Sequence, residues 1–233
     1  MELKKILVGI EGLKAKGTLD IDVKNIESNS INIKEGDMFI AIKGFATDGH
    51  TYINDAIKAG AKVVMIEEGC DLKAIKLKEG VTLVMAKNTR EALAICSCNF
   101  YGHPSKIFKL IGVTGTKGKT TTTFMIKEIL EKAGHKVGLI GTIATYINGK
   151  MVSENSRTTP ESIELQRTFA EMAKNDVEYV VMEVSSQSLK LHRVDGCHFD
   201  IVVFTNFSED HISVNEHPDM KDYFESKLKL FEM

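Results

Sequence analysis

A chain of 233 residues with 43% apolar and 27% charged side chains has the make-up of a globular protein with room for two domains. Its formal net charge of −2 excludes a generally basic surface of the kind that binds nucleic acid, and no apolar stretch reaches membrane-spanning length. The four cysteines, Cys70, Cys96, Cys98 and Cys197, show no CxxC spacing and no paired framework, which points to free thiols in a reducing cytoplasm.

The apolar run Ile6-Leu7-Val8-Gly9-Ile10 is too short for a signal-peptide core. From there, strand and helix signals alternate almost to the end, which predicts an α/β fold. Met38 to Ile42 reads as a strand, and Tyr52 to Ala59 as a helix stopped by Gly60. Val63 to Ile66 and Val81 to Ala86 read as buried strands. A helix follows from about Arg90 to Phe100, with Thr89 as its N-cap. His103-Pro104-Ser105 marks a domain boundary, because the residue before proline is pushed out of helical geometry. The expected domains are therefore 1–104 and 105–233.

In the second domain Lys109 to Val113 reads as a strand. Lys119 to Lys132 reads as a helix, with Met125, Ile129 and Ala133 on one face. Lys136 to Ile140 is a further strand. Thr159-Pro160 opens a helix with proline at its first position and an apolar side of Leu165, Phe169 and Met172. Val177 to Val184 and Asp200 to Phe204 are continuous apolar runs, as parallel strands covered on both faces would be. The chain stops inside an amphipathic segment, so the sheet is expected to be incomplete and the chain a fragment.

The sharpest motif is Gly112-Val113-Thr114-Gly115-Thr116-Lys117-Gly118-Lys119-Thr120-Thr121, between a predicted strand and a predicted helix. Glycines let backbone N–H groups turn inward around phosphate oxygens, and the helix start adds its dipole. In that geometry Lys119 reaches the β- and γ-phosphates, and the Thr120 hydroxyl is a ligand for Mg²⁺. The first glycine lies six residues before Gly118, where the common phosphate loop has five. The bland alternative, a glycine-rich turn that binds nothing, is weakened by the GKTT at the helix start.

GVTGTKGKTTT resembles the TGTNGKTTT loop of the Mur ligases, with Lys117 in place of the usual asparagine. Further matches follow in the family's order. They are Thr158-Thr159-Pro160, Met182-Glu183-Val184-Ser185-Ser186, Arg193, Thr205-Asn206-Phe207-Ser208-Glu209-Asp210-His211, and Tyr223 with Ser226-Lys227-Leu228. The set is most similar to the MurE-type branch, which adds the third peptide residue to the cell-wall precursor. In the first domain, Asn29-Ser30-Ile31 and Glu35-Gly36-Asp37-Met38-Phe39 resemble the DSR…PGDLF signature of that branch's uridine-nucleotide domain, as Asp48-Gly49-His50 resembles its DGH element. Gln187 and Leu191 depart from the usual histidine and glutamine, and Ile31 from the usual arginine.

The resemblance implies a small α/β uridine-nucleotide domain followed by a mostly parallel sheet of the P-loop ATPase type, flanked by helices. It implies an ATP-dependent ligase that joins an amino acid to UDP-N-acetylmuramoyl-dipeptide through an acyl phosphate. Gly115, Thr116, Lys117, Gly118, Lys119, Thr120, Thr121 and Asn206 would hold ATP. Thr120, Glu183, His211 and a carbamylated Lys227 would ligand Mg²⁺, and Lys119, Glu183, His211 and Lys227 would carry the chemistry. Ser30, Thr158, Thr159, Ser185 and Arg193 would hold the nucleotide-sugar substrate. A domain that brings the amino acid is expected beyond residue 233, so the added residue stays open between lysine, diaminopimelate and another. Two other readings stay open as well: a sister ligase for a different peptide, and a fragment that binds without turnover.

Overall fold

The computed structural model describes residues 1–44, 47–210, 212–213 and 216–233. They form two compact units, Met1–Phe100 and Tyr101–Met233. None of the described helices is long and apolar enough to cross a membrane.

The first unit runs α1 (Leu3–Ile6), β1 (Lys14–Lys16), β2 (Ile26–Glu27), β3 (Met38–Ile40), α2 (Ile53–Ala59), β4 (Val63–Glu67), β5 (Thr82–Ala86) and α3 (Thr89–Tyr101). Its sheet has the order β1-β5-β4-β3-β2, parallel except for the short edge strand β1. Phe39, Val64, Ile66 and Leu83 pack with Ile53, Ala56 and Ile57 of α2. The alternate strand residues Met38, Ile40 and Met65 point the other way and are equally buried. Gly60 ends α2 in the left-handed region at φ 113°, as the sequence predicts. Thr89 is not the cap of α3 but lies inside the helix, fully buried. Asn88 takes the capping role, with Oδ1 accepting from the N–H groups of Arg90 (3.0 Å) and Glu91 (3.3 Å). Asparagine is the better cap because its carbonyl reaches the free N–H groups of the first turn without a β-branch.

The second unit runs β6 (Lys109–Thr114), α4 (Lys119–Lys132), β7 (Val137–Ile140), β8 (Ala144–Ile147), β9 (Lys150–Glu154), α5 (Ser162–Lys174), β10 (Tyr179–Glu183), α6 (Ser186–Lys190), β11 (Ile201–Phe204) and α7 (Met220–Leu228). The sheet order is β11-β6-β10-β7-β8-β9. Strands β11, β6, β10 and β7 are parallel, and β8 and β9 continue antiparallel from β7. Side chains alternate between the faces. Leu110, Val180 and Met182 pack with Leu165, Phe169 and Met172 of α5. Ile111, Val113 and Val181 pack with Ile126 and Leu130 of α4.

Two sequence expectations fail here for identifiable reasons, while in α4 the residues expected on one face, Met125, Ile129 and Ala133, do share one, and it is the exposed face. The buried side of α4 is Thr123, Ile126, Lys127 and Leu130, whereas Met125 and Ile129 are 61% and 67% exposed. The helical period fixes which residues share a face but not which face meets the sheet. Pro160 is not the first residue of α5, which starts at Ser162 after Glu161. Pro160 instead follows a bend over 156–159 in which the Thr159 hydroxyl is spent on β10, as described below. Finally, β11 is an edge strand, only partly covered, with Ile201 52% exposed. Pro104 and Ser105, at the expected domain boundary, are buried, and Ser105 Oγ accepts from His198 N–H at 3.2 Å.

Candidate functional site

The carboxyl ends of β6, β10 and β7 lie side by side, with Glu183 paired in register to Val113 and Met182 to both Gly112 and Ile140. Loops that leave such an edge are where open α/β sheets bind ligands. The turn from β6 into α4 is the glycine motif. Gly115 has φ 140°, and a Cβ there would lie 2.0 Å from Thr205 Oγ1, so only glycine fits. Gly118, at φ 82°, occupies the N-cap position of α4, whose first residues are Lys119, Thr120 and Thr121.

The turn is braced by the segment after β11. Asn206 accepts from Thr116 N–H through its backbone oxygen at 2.9 Å and from Lys117 N–H through Oδ1 at 3.0 Å. Its Nδ2 donates back to Lys117 O at 3.0 Å. Asn206 therefore clamps the loop with every amide atom of its side chain. Thr116 exchanges hydrogen bonds with Ser208 at 3.1 and 3.3 Å, and Lys117 Nζ pairs with Asp210 at 2.7 Å. Lys119 Nζ donates to Gly115 O at 2.8 Å and Thr116 O at 3.1 Å, and burial lowers its pKa.

Glu183, 1% exposed, collects three donors. These are the Thr120 hydroxyl at 3.0 Å, Thr142 N–H at 2.9 Å and the Thr142 hydroxyl at 3.2 Å. A Cβ on Gly141 would lie 2.4 Å from Glu183 Oε1, so the carboxylate depends on that glycine for its place. Carboxylate and hydroxyl oxygens are hard donors that suit Mg²⁺. The described residues contain no group of three His, Cys, Asp or Glu able to hold a metal. The set therefore fits an ion that keeps most of its shell as water and phosphate oxygen, which is how Mg²⁺ usually binds beside nucleotides. His211, the expected further ligand, lies outside the described residues.

Lys227 projects from α7 into the same region. It is 1% exposed, donates to Gly115 O at 3.0 Å, and lies 4.3 Å from the Tyr223 ring centroid. Burial, reinforced by the charge of Lys119 and opposed by Asp210, brings its pKa down to about 7. With a pKa of about 7, a substantial fraction of this lysine is neutral amine, a nucleophile where an ordinary ammonium is not.

A cavity of about 380 Å³ begins at Lys119 and Lys227 and runs past Thr142, Thr158, Ser185 and Arg193. Thr159 builds its wall and does not line it. Its hydroxyl donates to Glu183 O at 3.0 Å and accepts from Ser185 N–H at 3.1 Å. Ser185 caps α6, accepting from Ser188 N–H at 3.1 Å. Arg193, 6% exposed, donates to Thr159 O at 3.3 Å and pairs with Glu161 at 3.0 Å. Six lining residues fall outside the sequence motifs: Thr142, Asn155, Ser156, Arg157, Glu216 and His217. Thr142 alone had a legible signal, its position just past the end of β7. Ser30 belongs to the first unit, half-buried in a 3-10 turn capped by Asn29, whose Oδ1 accepts from Ile31 N–H at 3.1 Å.

A parallel sheet with a glycine turn, a buried lysine and a Thr–Glu oxygen pair at its carboxyl edge defines a phosphate-loop α/β protein. Residues 113–233 match the model of the Mur ligase middle domain, and residues 22–101 that described as "Mur ligase family, catalytic domain". The chain belongs to the Mur ligase family. It is 47% identical, over 99% of its length and 47% of the relative's, to a UDP-N-acetylmuramoyl-L-alanyl-D-glutamate–2,6-diaminopimelate ligase of Clostridium tetani. It is 51% identical, over 90% of its length and 42% of the relative's, to the ligase of that name from Clostridium botulinum. A solved structure described by the same ligase name superposes with a TM-score of 0.76 at 22% identity, covering 99% of this chain and 45% of that one. That likeness shows the fold. The chain spans about half the length of the curated relatives it matches.

Proposed function

We propose that this chain carries the nucleotide and nucleotide-sugar sites of an ATP-dependent ligase that joins diaminopimelate to UDP-N-acetylmuramoyl-L-alanyl-D-glutamate in peptidoglycan precursor synthesis. The supporting observation is the cavity that links Lys119 of the glycine turn and the buried Lys227 of α7 to Thr158, Ser185 and Arg193. The relatives' names support the substrate and the added amino acid.

In this reading, Gly115 to Thr121 cradle the ATP phosphates, and Lys119 swings from Gly115 O and Thr116 O to a phosphate oxygen. Thr120, Glu183, His211 and Lys227 would hold Mg²⁺, which would supply charge neutralisation between the phosphates. Lys227 would do so as a carbamate, because its neutral amine can add CO₂ and so exchange a cation for an anion. Thr142 orients the Glu183 carboxylate. The acceptor carboxylate lies toward Thr158 and Ser185, with Arg193 supplying positive charge. Phosphoryl transfer from ATP gives an acyl phosphate, and attack by the incoming amine forms the amide and releases phosphate. Ser30 would meet the nucleotide part of the substrate in the first unit, and a cytoplasmic setting suits the free thiols.

Titration calorimetry on the chain tests this reading with two ligands. ATP with Mg²⁺ and UDP-N-acetylmuramoyl-dipeptide are both expected to bind, and Lys119→Ala is expected to abolish only the first. Binding of nucleotide without the UDP-sugar would redirect the reading to a sister ligase for another substrate.

A further inference from the structure

A closed circuit of four side chains joins α6 to the start of α7. Ser186, the first residue of α6, has Oγ 2.9 Å from His217 Nε2, and His217 Nδ1 lies 2.6 Å from Asp222 Oδ2. Lys190, the last residue of α6, donates to the same Asp222 oxygen at 2.8 Å and to Glu216 O at 3.1 Å. An ionised carboxylate only accepts, so Nδ1 carries a proton toward Asp222, while Nε2 meets the Ser186 hydroxyl. His217 is wholly buried, with its ring 5.0 Å from that of Tyr223. A buried imidazole bonded at both ring nitrogens between two short helices is costly to break, because His217 and Ser186 stay buried when freed.

The circuit matters for what α7 carries. Tyr223 donates its hydroxyl proton to Thr116 Oγ1 at 3.3 Å, and Lys227 donates to Gly115 O at 3.0 Å. Both acceptors belong to the glycine turn. At nine residues α7 is too short to hold its conformation alone. Its first turn is gripped through Asp222, and α6 in turn is fixed to the end of β10 by the Ser185 cap and the Thr159 hydroxyl.

We propose that His217 is a positioning residue which, with Ser186, Asp222 and Lys190, latches α7 to α6 and so sets where Lys227 and Tyr223 meet the glycine turn. Only the affinity readout of its test rests on the nucleotide reading above. Lys190 and Asp222 do not line the cavity, so Lys190→Ala and Asp222→Asn report the latch without removing a ligand contact. Each is expected to speed amide hydrogen exchange over Tyr223–Lys227 while leaving α5 unchanged, and to weaken ATP–Mg²⁺ binding by roughly tenfold. His217→Ala breaks both bonds and is expected to do at least as much. His217→Gln keeps a group that can bond Ser186 and is expected to recover part of the loss. His135→Ala, at the opposite edge of the sheet, is expected to match the wild type in both readouts. If Lys190→Ala and Asp222→Asn exchange α7 at the wild-type rate, the latch is wrong, whatever their affinity. If the wild-type chain binds no nucleotide, the function above fails while the exchange rates still decide the latch.

Discussion

Lys227 is held where an ammonium group is expensive. The unfolded chain titrates this lysine near 10.5 and the folded chain at about 7, so folding releases its proton over that interval. The resulting penalty is complete below about pH 7 and fades as the pH rises toward the unfolded value. Lys227→Met should therefore stabilise the second unit by about 2–4 kcal/mol near pH 6, with the gain shrinking as the pH approaches 10. Urea midpoints of the two proteins across that pH range measure it, and a pH-independent difference would refute the charge argument. Such a residue, destabilising yet retained at a ligand edge, is what a functional amine looks like. In the sequence Lys227 is one lysine among many on a helix, and only the resemblance singles it out. Its surroundings combine Tyr223, one turn away, with Gly115, more than a hundred positions away.

At the level of elements, α4 separates what pattern reading can and cannot do. The span Lys119–Lys132 follows from the glycine turn and the residues after it, and the structure keeps it. The side facing the sheet does not follow. Met125 and Ile129 look like core residues, but Thr123 and Lys127 are buried beside Ile126 and Leu130, since Lys127 pairs with Glu128 and Glu131 at 3.1 and 2.8 Å. Ile129→Lys is expected to change stability by less than about 0.5 kcal/mol. Phe169→Ala, on the fully buried side of α5, should cost about 3–5 kcal/mol. Chemical denaturation followed by circular dichroism separates the two, and a large loss in Ile129→Lys would show the exposed face to be covered. The edge strand β1 had no comparable signal, because it is short and fixed by its neighbours. The β8–β9 hairpin and the cap of α3 did have one, in the Asn148-Gly149 turn, with φ 50° and 78°, and in Asn88 just before the helix.

For the molecule as a whole, a ligand that binds only the folded chain adds stability that grows with the logarithm of its concentration relative to its dissociation constant. ADP with Mg²⁺ at a hundred times its dissociation constant should raise the stability of the second unit by about 2.7 kcal/mol. Calorimetric melting reads this as an upward shift that Lys119→Ala lacks, and an equal shift in that variant would place the nucleotide elsewhere. The alternation of strands and helices, the glycine turn and the order of the family's motifs are properties of neighbouring residues, so the linear sequence was enough to determine the α/β class and the Mur ligase membership. The Thr120–Glu183–Thr142 cluster, the Asn206 clamp, the Arg193–Glu161 pair and the latch at His217 each join residues tens of positions apart. Only the tertiary structure could decide them, because strand order and helix rotation choose which distant side chains share one buried space. Burial, in turn, sets what a lysine or a carboxylate can do there.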